Sequence, residues 1–363
     1  MKNKITSALA GSLFGLGLAS TAVAQTTISG NLDLAYHAVS AAAGSYRAVG
    51  RESQINLANK GKLSNGMEYA AGFSFELEGG ETLGGTGDTD SSNGANENVY
   101  IDLFYNKDSY ISFSNDHVQN SDVTFTNLVG WGYLGGQGIN NKTSIYPTSL
   151  NTSGFGLGVS HNFGAIRLAG TFVPNPNKEG AGTNDTGHTV TGASDTLNNS
   201  KVEITARGDL GVKGLDVMAG ISRQDKISEG ATIDATAKDP NGKRFSAKYN
   251  FGDITIAGDY IVTEGNNVTN AVATRTSRDV ELKGKSAGIA YAINKDLSVG
   301  YTRSVAEASA GTVQDEKANH YAIGYNLGAV SATLQYRDVT GAMGDASATG
   351  DGEILSLKLS TRF

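Results

Sequence analysis

The feature that most constrains this fold is an alternation of apolar and polar residues, clearest in the last eleven residues of the chain. In an extended strand Leu355, Leu357 and Leu359 lie on one face, while Ser356 and Lys358 lie on the other. A tilted β-strand that crosses a bilayer has a similar length, about 9–11 residues. Because a half-buried strand of a soluble sheet would show the same pattern, the rest of the chain must distinguish these two alternatives.

The same alternation recurs in sixteen segments between Thr26 and Phe363. Short turns, such as the one at Gly252-Asp253, alternate with long polar loops, the first of which is expected to run to about Arg51. An even number of antiparallel strands with short turns at one end and long loops at the other is typical of outer-membrane barrels. Closure of the sheet also leaves no edge strand, whose unpaired backbone N–H and C=O groups would find no hydrogen-bond partners in hydrocarbon. The sequence therefore predicts an all-β fold, a 16-stranded antiparallel transmembrane β-barrel with short periplasmic turns and long external loops.

Composition and aromatic placement favour the same fold. The chain has 48 Gly, 4 Pro and 39% hydrophobic residues, and this much glycine disfavours helices. Several tyrosines share the phase of the outward aliphatic residues and are expected to form one interfacial girdle. These are Tyr249, Tyr260, Tyr291, Tyr301, Tyr325 and Tyr336.

The N-terminus has the pattern of an export signal. Lys2 and Lys4 precede an apolar run, and Ala22-Val23-Ala24 has the form of a signal-peptidase site. We expect a signal peptide over residues 1–24 and the barrel over residues 25–363. Loss of Lys2 and Lys4 takes the formal net charge from −7 to −9, which disfavours nucleic acid as a partner. The chain has no cysteine, so disulfides cannot stabilise it.

The inward phase of the strands is polar and carries both signs of charge, so a packed apolar interior is excluded. Sixteen strands enclose a lumen wide enough for water, and the inference is a water-filled channel. The charged and amide residues of this phase are Asn31, Asp33, Glu68, Glu76, Asp102, Arg167, Lys201, Glu203, Arg207, Lys248, Arg337, Lys358 and Arg362.

The connection at about 116–151, after the fifth strand, differs from the other loops because it contains several bulky apolar residues. They include Val123, Phe125, Leu128, Val129, Trp131, Tyr133 and Leu134. A solvated loop would not expose so many, so this connection should pack against the inner wall of the barrel.

Signal peptide, sixteen alternating strands, a long third external loop and the terminal Phe363 together resemble the general trimeric porins of Gram-negative outer membranes. The resemblance implies that the third loop enters the pore and forms a constriction in which loop carboxylates face basic residues. Those carboxylates would be Asp116 and Asp122, although the Pro-Glu-Phe-Gly signature common at the loop tip is absent. The basic candidates are Arg51, Arg167, Arg207, Lys248, Arg337 and Lys358.

The predicted function is passive diffusion of small hydrophilic solutes and ions, filtered by size and charge. A substrate-selective channel of the same fold and a non-conducting surface or structural barrel are the alternatives. The family resemblance implies a homotrimer in the outer membrane, in contact with lipid and lipopolysaccharide, with Phe363 as the signal for the assembly machinery.

Other motifs are weak. The segment 88–94 is similar to a calcium loop, but its glycine is one place late and the closing Glu is missing. It is interpreted as a hydrated surface loop with room for loosely bound divalent cations. The five His show no ligand spacing, and no nucleophile-His-acid group stands out. We therefore expect no cofactor and no catalysis.

Overall fold

The protein folds as a closed barrel of sixteen antiparallel strands. The computed structural model describes residues 24–42, 44–79, 95–115, 124–130, 144–147, 150, 155–174, 200–224, 240–266, 280–309, 314–342 and 350–363. The strands are β1 (Gln25–Ala41), β2 (Gly44–Lys62), β3 (Glu68–Gly79), β4 (Ala95–Asn106), β5 (Ser109–Asn115), β6 (Phe155–Phe163), β7 (Ile166–Val173), β8 (Lys201–Gly208), β9 (Leu215–Gln224), β10 (Asn241–Phe251), β11 (Ile254–Asn266), β12 (Val280–Ala292), β13 (Leu297–Ala308), β14 (Glu316–Asn326), β15 (Val330–Thr340) and β16 (Gly352–Arg362).

Each strand pairs with its neighbours in the chain, and β16 closes the barrel on β1. The closing register runs from Asn31 opposite Arg362 to Ala41 opposite Gly352. The predicted fold class and strand number are therefore confirmed. No helix among the described residues is long and apolar enough to cross a membrane.

The tight turns at one end of the barrel follow from glycine. Gly164 and Gly252 have φ of 62° and 61°, in the left-handed region that two-residue hairpin turns require. These turns join β6 to β7 and β10 to β11, as the sequence predicts.

The first external connection differs from the prediction of a polar loop that reaches residue 51. β1 continues to Ala41 and β2 begins at Gly44, so only residues 42–43 join them. The extension is held by packing, because Val39 is buried in a cluster with Ile354 on the neighbouring β16 and Val339 on β15 beyond it. The small residues of this segment suit a paired strand as well as a loop, and the strict short and long alternation fails here.

The outer face is apolar, with exposed aliphatic and aromatic side chains on every second residue of the strands. The predicted tyrosines lie in two rows rather than in a single girdle. Tyr325 lies opposite Leu297 near the turn end, whereas Tyr301 lies four residues further along β13, about 13 Å away. Tyr301 contacts Tyr321, with ring centroids 5.0 Å apart. The prediction of one row is wrong because the register between strands was not available from the sequence.

Candidate functional site: the lumen and the β5–β6 connection

The connection between β5 and β6 contacts the inner wall through two described segments, residues 124–130 and residues 144–147 with Leu150. The Thr126 carbonyl oxygen accepts a hydrogen bond of 2.7 Å from the Thr302 hydroxyl. The Thr126 hydroxyl lies 2.7 Å from the Ser286 hydroxyl. Tyr301 and Ile289 lie opposite each other on the outer face, where Ile289 is exposed. Thr302 and Ser286 have the opposite phase on the same two strands, so both face the lumen.

The second segment is fixed by a buried carboxylate. Glu316, 1% exposed, accepts hydrogen bonds from the Ser144 hydroxyl and, at 3.2 Å, from the Ile145 amide. The Tyr146 hydroxyl donates to Ser286 at 3.1 Å, and burial raises the pKa of Tyr146, with a smaller contribution from the nearby Asp259 carboxylate. Both segments therefore meet at Ser286 on β12.

Apolar side chains complete this second contact. Ile145, Tyr146 and Leu150 form a buried cluster with wall residues that include Ile261 and Leu282. The Leu150 carbonyl oxygen also accepts a 3.0 Å hydrogen bond from Ser222. The contacts of the two segments fall on strands β8 to β15, which form one half of the barrel circumference.

A basic cluster lies in that same half. Arg207 binds Asp216 through two hydrogen bonds, of 3.0 and 2.7 Å, and Lys248 lies 3.7 Å from the same carboxylate. Both cations also contact the Phe125 ring, with the Arg207 guanidinium carbon 5.0 Å and the Lys248 ammonium nitrogen 5.3 Å from its centroid. Two of the predicted basic residues are therefore brought together, but beside the loop rather than across the lumen from it.

The other predicted basic residues are dispersed. Arg167 on β7 donates hydrogen bonds to Ser160, at 2.7 Å, and to Tyr110. Arg337 on β15 is 2% exposed, and Lys358 on β16 forms a 2.7 Å ion pair with Asp33.

Arg51 does not line the lumen. It lies directly opposite Leu34 on β1, whose side chain is 45% exposed on the outer face. Directly paired residues of antiparallel strands share a face, so the assignment of Arg51 to the pore wall is wrong. The error follows from the predicted loop, which removed this stretch from the strand phase.

Acidic residues lie on strands of the other half of the barrel. Asp33 on β1 lies opposite Glu52 on β2, and Glu76 follows on β3. Asp102 on β4 is 4% exposed. The sequence assigned Asp33, Glu76 and Asp102 to the inward phase, but only the strand register places Glu52 beside Asp33.

Some predicted residues lie outside the described residues. These are the signal peptide up to residue 23, the segment 88–94, Asp116 and Asp122, and Val123, Trp131, Tyr133 and Leu134 of the β5–β6 connection. Among the residues that the structure describes, no group of three or more His, Asp or Glu side chains could hold a metal ion.

Solved structures that are similar in fold include outer-membrane proteins and porins. Salmonella typhi OmpF in complex with daunomycin aligns with a TM-score of 0.70 at 12% identity, covering 93% of this chain and 97% of OmpF. The trimer form of Vibrio cholerae OmpT aligns with a TM-score of 0.60 at 14% identity, covering 94% of this chain and 99% of OmpT. A mutant Rh. blastica porin aligns with a TM-score of 0.60 at 13% identity, covering 93% of this chain and 100% of that porin. No curated protein sequence matches the chain.

A closed barrel with an apolar outer face and a charged interior defines an outer-membrane channel. The family model described as Gram-negative porin matches residues 6–336, and the chain belongs to that family. It is therefore an outer-membrane porin, a channel for passive diffusion, as the sequence resemblance indicates.

Proposed function

We propose that the protein is a general diffusion porin in which residues 116–151 form the constriction. The observation that carries this proposal is the fixation of residues 124–130, 144–147 and 150 on the inner faces of β8 to β15. A connection held there occupies part of the lumen and leaves passage along the half formed by β16 and β1 to β7. Such a channel filters solutes by size and charge without tight binding.

Charge filtering in this proposal depends on which residues face the open half. Glu52 and Glu76 lie on the uncovered strands, where Lys358 is paired with Asp33 and Arg167 is the remaining predicted base. Arg207 and Lys248 share the carboxylate of Asp216 beside the loop. This distribution favours the passage of cations. In this proposal Asp116 and Asp122 face the pore, and their negative charges also favour cations.

Planar-bilayer recording of the refolded protein tests the proposal. Large stepwise openings with a cation-selective reversal potential support a general porin, while block by one class of solute would indicate a substrate-selective channel. Absence of conductance would contradict the proposal and favour a non-conducting surface or structural barrel. The substitutions Glu76→Gln and Asp116→Asn with Asp122→Asn are each expected to lower cation preference, and unchanged reversal potentials would contradict the role of those residues.

The proposal includes a homotrimer and no catalytic activity. A trimer is supported by the trimer form of the similar Vibrio cholerae OmpT structure. Cross-linking and analytical ultracentrifugation in detergent test the trimer, and a monomer under non-denaturing conditions would contradict it.

A further inference from the structure

Six glycines on the inner wall lie under the β5–β6 connection, and we infer that they form a docking track that sets the position of the connection and hence the pore size. This inference rests on the proposed function, since it assumes that residues 116–151 bound the open channel. The glycine track consists of Gly220, Gly242, Gly284, Gly288, Gly300 and Gly324, on strands β9, β10, β12, β13 and β14.

Val129 occupies a depression between two members of the track. A Cβ atom built on Gly300 would lie 2.8 Å from Val129 Cγ2, and one on Gly324 would lie 3.2 Å from Val129 Cγ1. Both distances are shorter than an ordinary carbon–carbon contact of about 3.5–4.0 Å. A side chain at Gly300 would therefore displace Val129, whereas one at Gly324 would require a shift of a few tenths of an ångström.

Leu150 packs against two glycines in the same way at the other end of the connection. Cβ atoms on Gly220 and Gly242 would lie 2.9 and 2.8 Å from its two methyl carbons. Between these ends, a Cβ on Gly284 would lie 2.9 Å from Tyr146 Cζ. The connection is thus seated at successive points across β9 to β14.

Glycine destabilises a strand, so six glycines under the connection are expected to be offset by the packing of the connection against them. A strand glycine contributes no side chain and loses more conformational entropy on folding than other residues do, and it often marks a close approach by another part of the chain. Hydrogen bonds from Thr302 to Thr126 and from Ser222 to Leu150 independently fix the connection at the same wall. Added volume under Val129 must therefore displace the connection towards the channel axis.

The experiment compares Gly300→Ala and Gly324→Ala with wild type by single-channel conductance. We expect a loss of conductance that is larger for Gly300→Ala, since its contact with Val129 is closer. The double variant Gly300→Ala with Val129→Gly should regain conductance, because it removes both Val129 methyl groups and also Val129 Cβ, which would lie 3.0 Å from the new carbon. Gly258→Ala is the matched control, as its Cβ would face outward with its nearest neighbour at 3.9 Å.

Fluorescence of Trp131, the only tryptophan of the chain, gives a readout that does not depend on conduction. Its emission should change in Gly300→Ala and return in the double variant. Wild-type conductance in Gly300→Ala, or a loss of conductance that Val129→Gly does not restore, overturns the inference. If Gly300→Ala fails to fold, Gly324→Ala in a Ser298→Ala background gives the test, because Ser298 Oγ would otherwise lie 3.1 Å from the new carbon, nearer than Val129. If wild type does not conduct, the proposed function fails, whereas the fluorescence comparison still decides whether the glycines seat the connection.

Discussion

Phe363 and Gly30 exchange both backbone hydrogen bonds, of 2.8 and 3.1 Å, at the turn end of the β1–β16 seam. The Phe363 ring also covers Gly30, since a Cβ there would lie 2.5 Å from the Phe363 ring carbon Cζ. An aromatic side chain over a glycine on the neighbouring strand replaces the packing that the glycine lacks. The last residue of the chain therefore completes the closing register.

Phe363→Ala should lower the yield of inserted barrel without changing the conductance of the molecules that do insert. The backbone pair with Gly30 persists, but the ring contact and the proposed assembly signal are lost. The fraction of heat-modifiable barrel on semi-native gels measures insertion. Phe163→Ala is the control, because Phe163 is a similarly exposed aromatic residue at a turn, 61% against 69%. Equal yields for the two variants would contradict a special role for Phe363.

The Asp33–Lys358 pair should stabilise barrel closure. Its side chains are 15% and 12% exposed, so Lys358→Met leaves a largely desolvated carboxylate. We expect a loss of about 1–3 kcal/mol in the free energy of unfolding, measured with urea in detergent. The pair Lys62–Glu68 joins adjacent strands at the surface, with 58% and 63% exposure, and Lys62→Met should cost only about 0–1 kcal/mol. A smaller effect at Lys358 than at Lys62 would reject the seam role.

Phe125→Ala should loosen the β5–β6 connection, because it removes a ring that is 2% exposed and contacts two cations. Phe125→Leu keeps apolar volume and loses only the cation–π contacts, each about 0.5–2 kcal/mol. Open-channel noise in bilayer recordings should therefore rise in the order wild type, Phe125→Leu, Phe125→Ala. Identical noise in all three would show that the ring does not fix the connection.

Tyr146 should make docking of the connection sensitive to alkaline pH. Its folded-state pKa is raised above the ordinary value of 10.0, so its contribution to docking is complete below pH 10 and is lost as pH rises through the folded pKa. Trp131 fluorescence should change above pH 10 in wild type and change less in Tyr146→Phe, which cannot ionise. Superimposable alkaline titrations of the two proteins would contradict this dependence.

Much of the fold could be predicted because a barrel strand must alternate between lipid and lumen at every residue. That requirement predicted sixteen strands and the inward positions of Arg207 and Lys248. A separate signal, bulky apolar residues in an otherwise polar connection, indicated that Phe125 and Val129 pack against the wall. The prediction of a loop over residues 35–51 is wrong because the small residues of this stretch show little alternation of apolar and polar side chains. The same error assigned Arg51 to the lumen instead of the outer face.

The sequence by itself determined the strand phase, the channel class and the connection that enters the lumen, since all three depend on local periodicity and on apolar residues in a polar loop. Only the tertiary structure decided the strand register and the contacts that the β5–β6 connection makes with the inner wall. Glu52 lies beside Asp33, Arg207 lies beside Phe125, and Val129 lies over Gly300, although these partners are distant in the chain. Pairing between strands fixes such contacts, and no local pattern encodes it. Tertiary register likewise brings the terminal Phe363 over Gly30, where the closing strand meets the first.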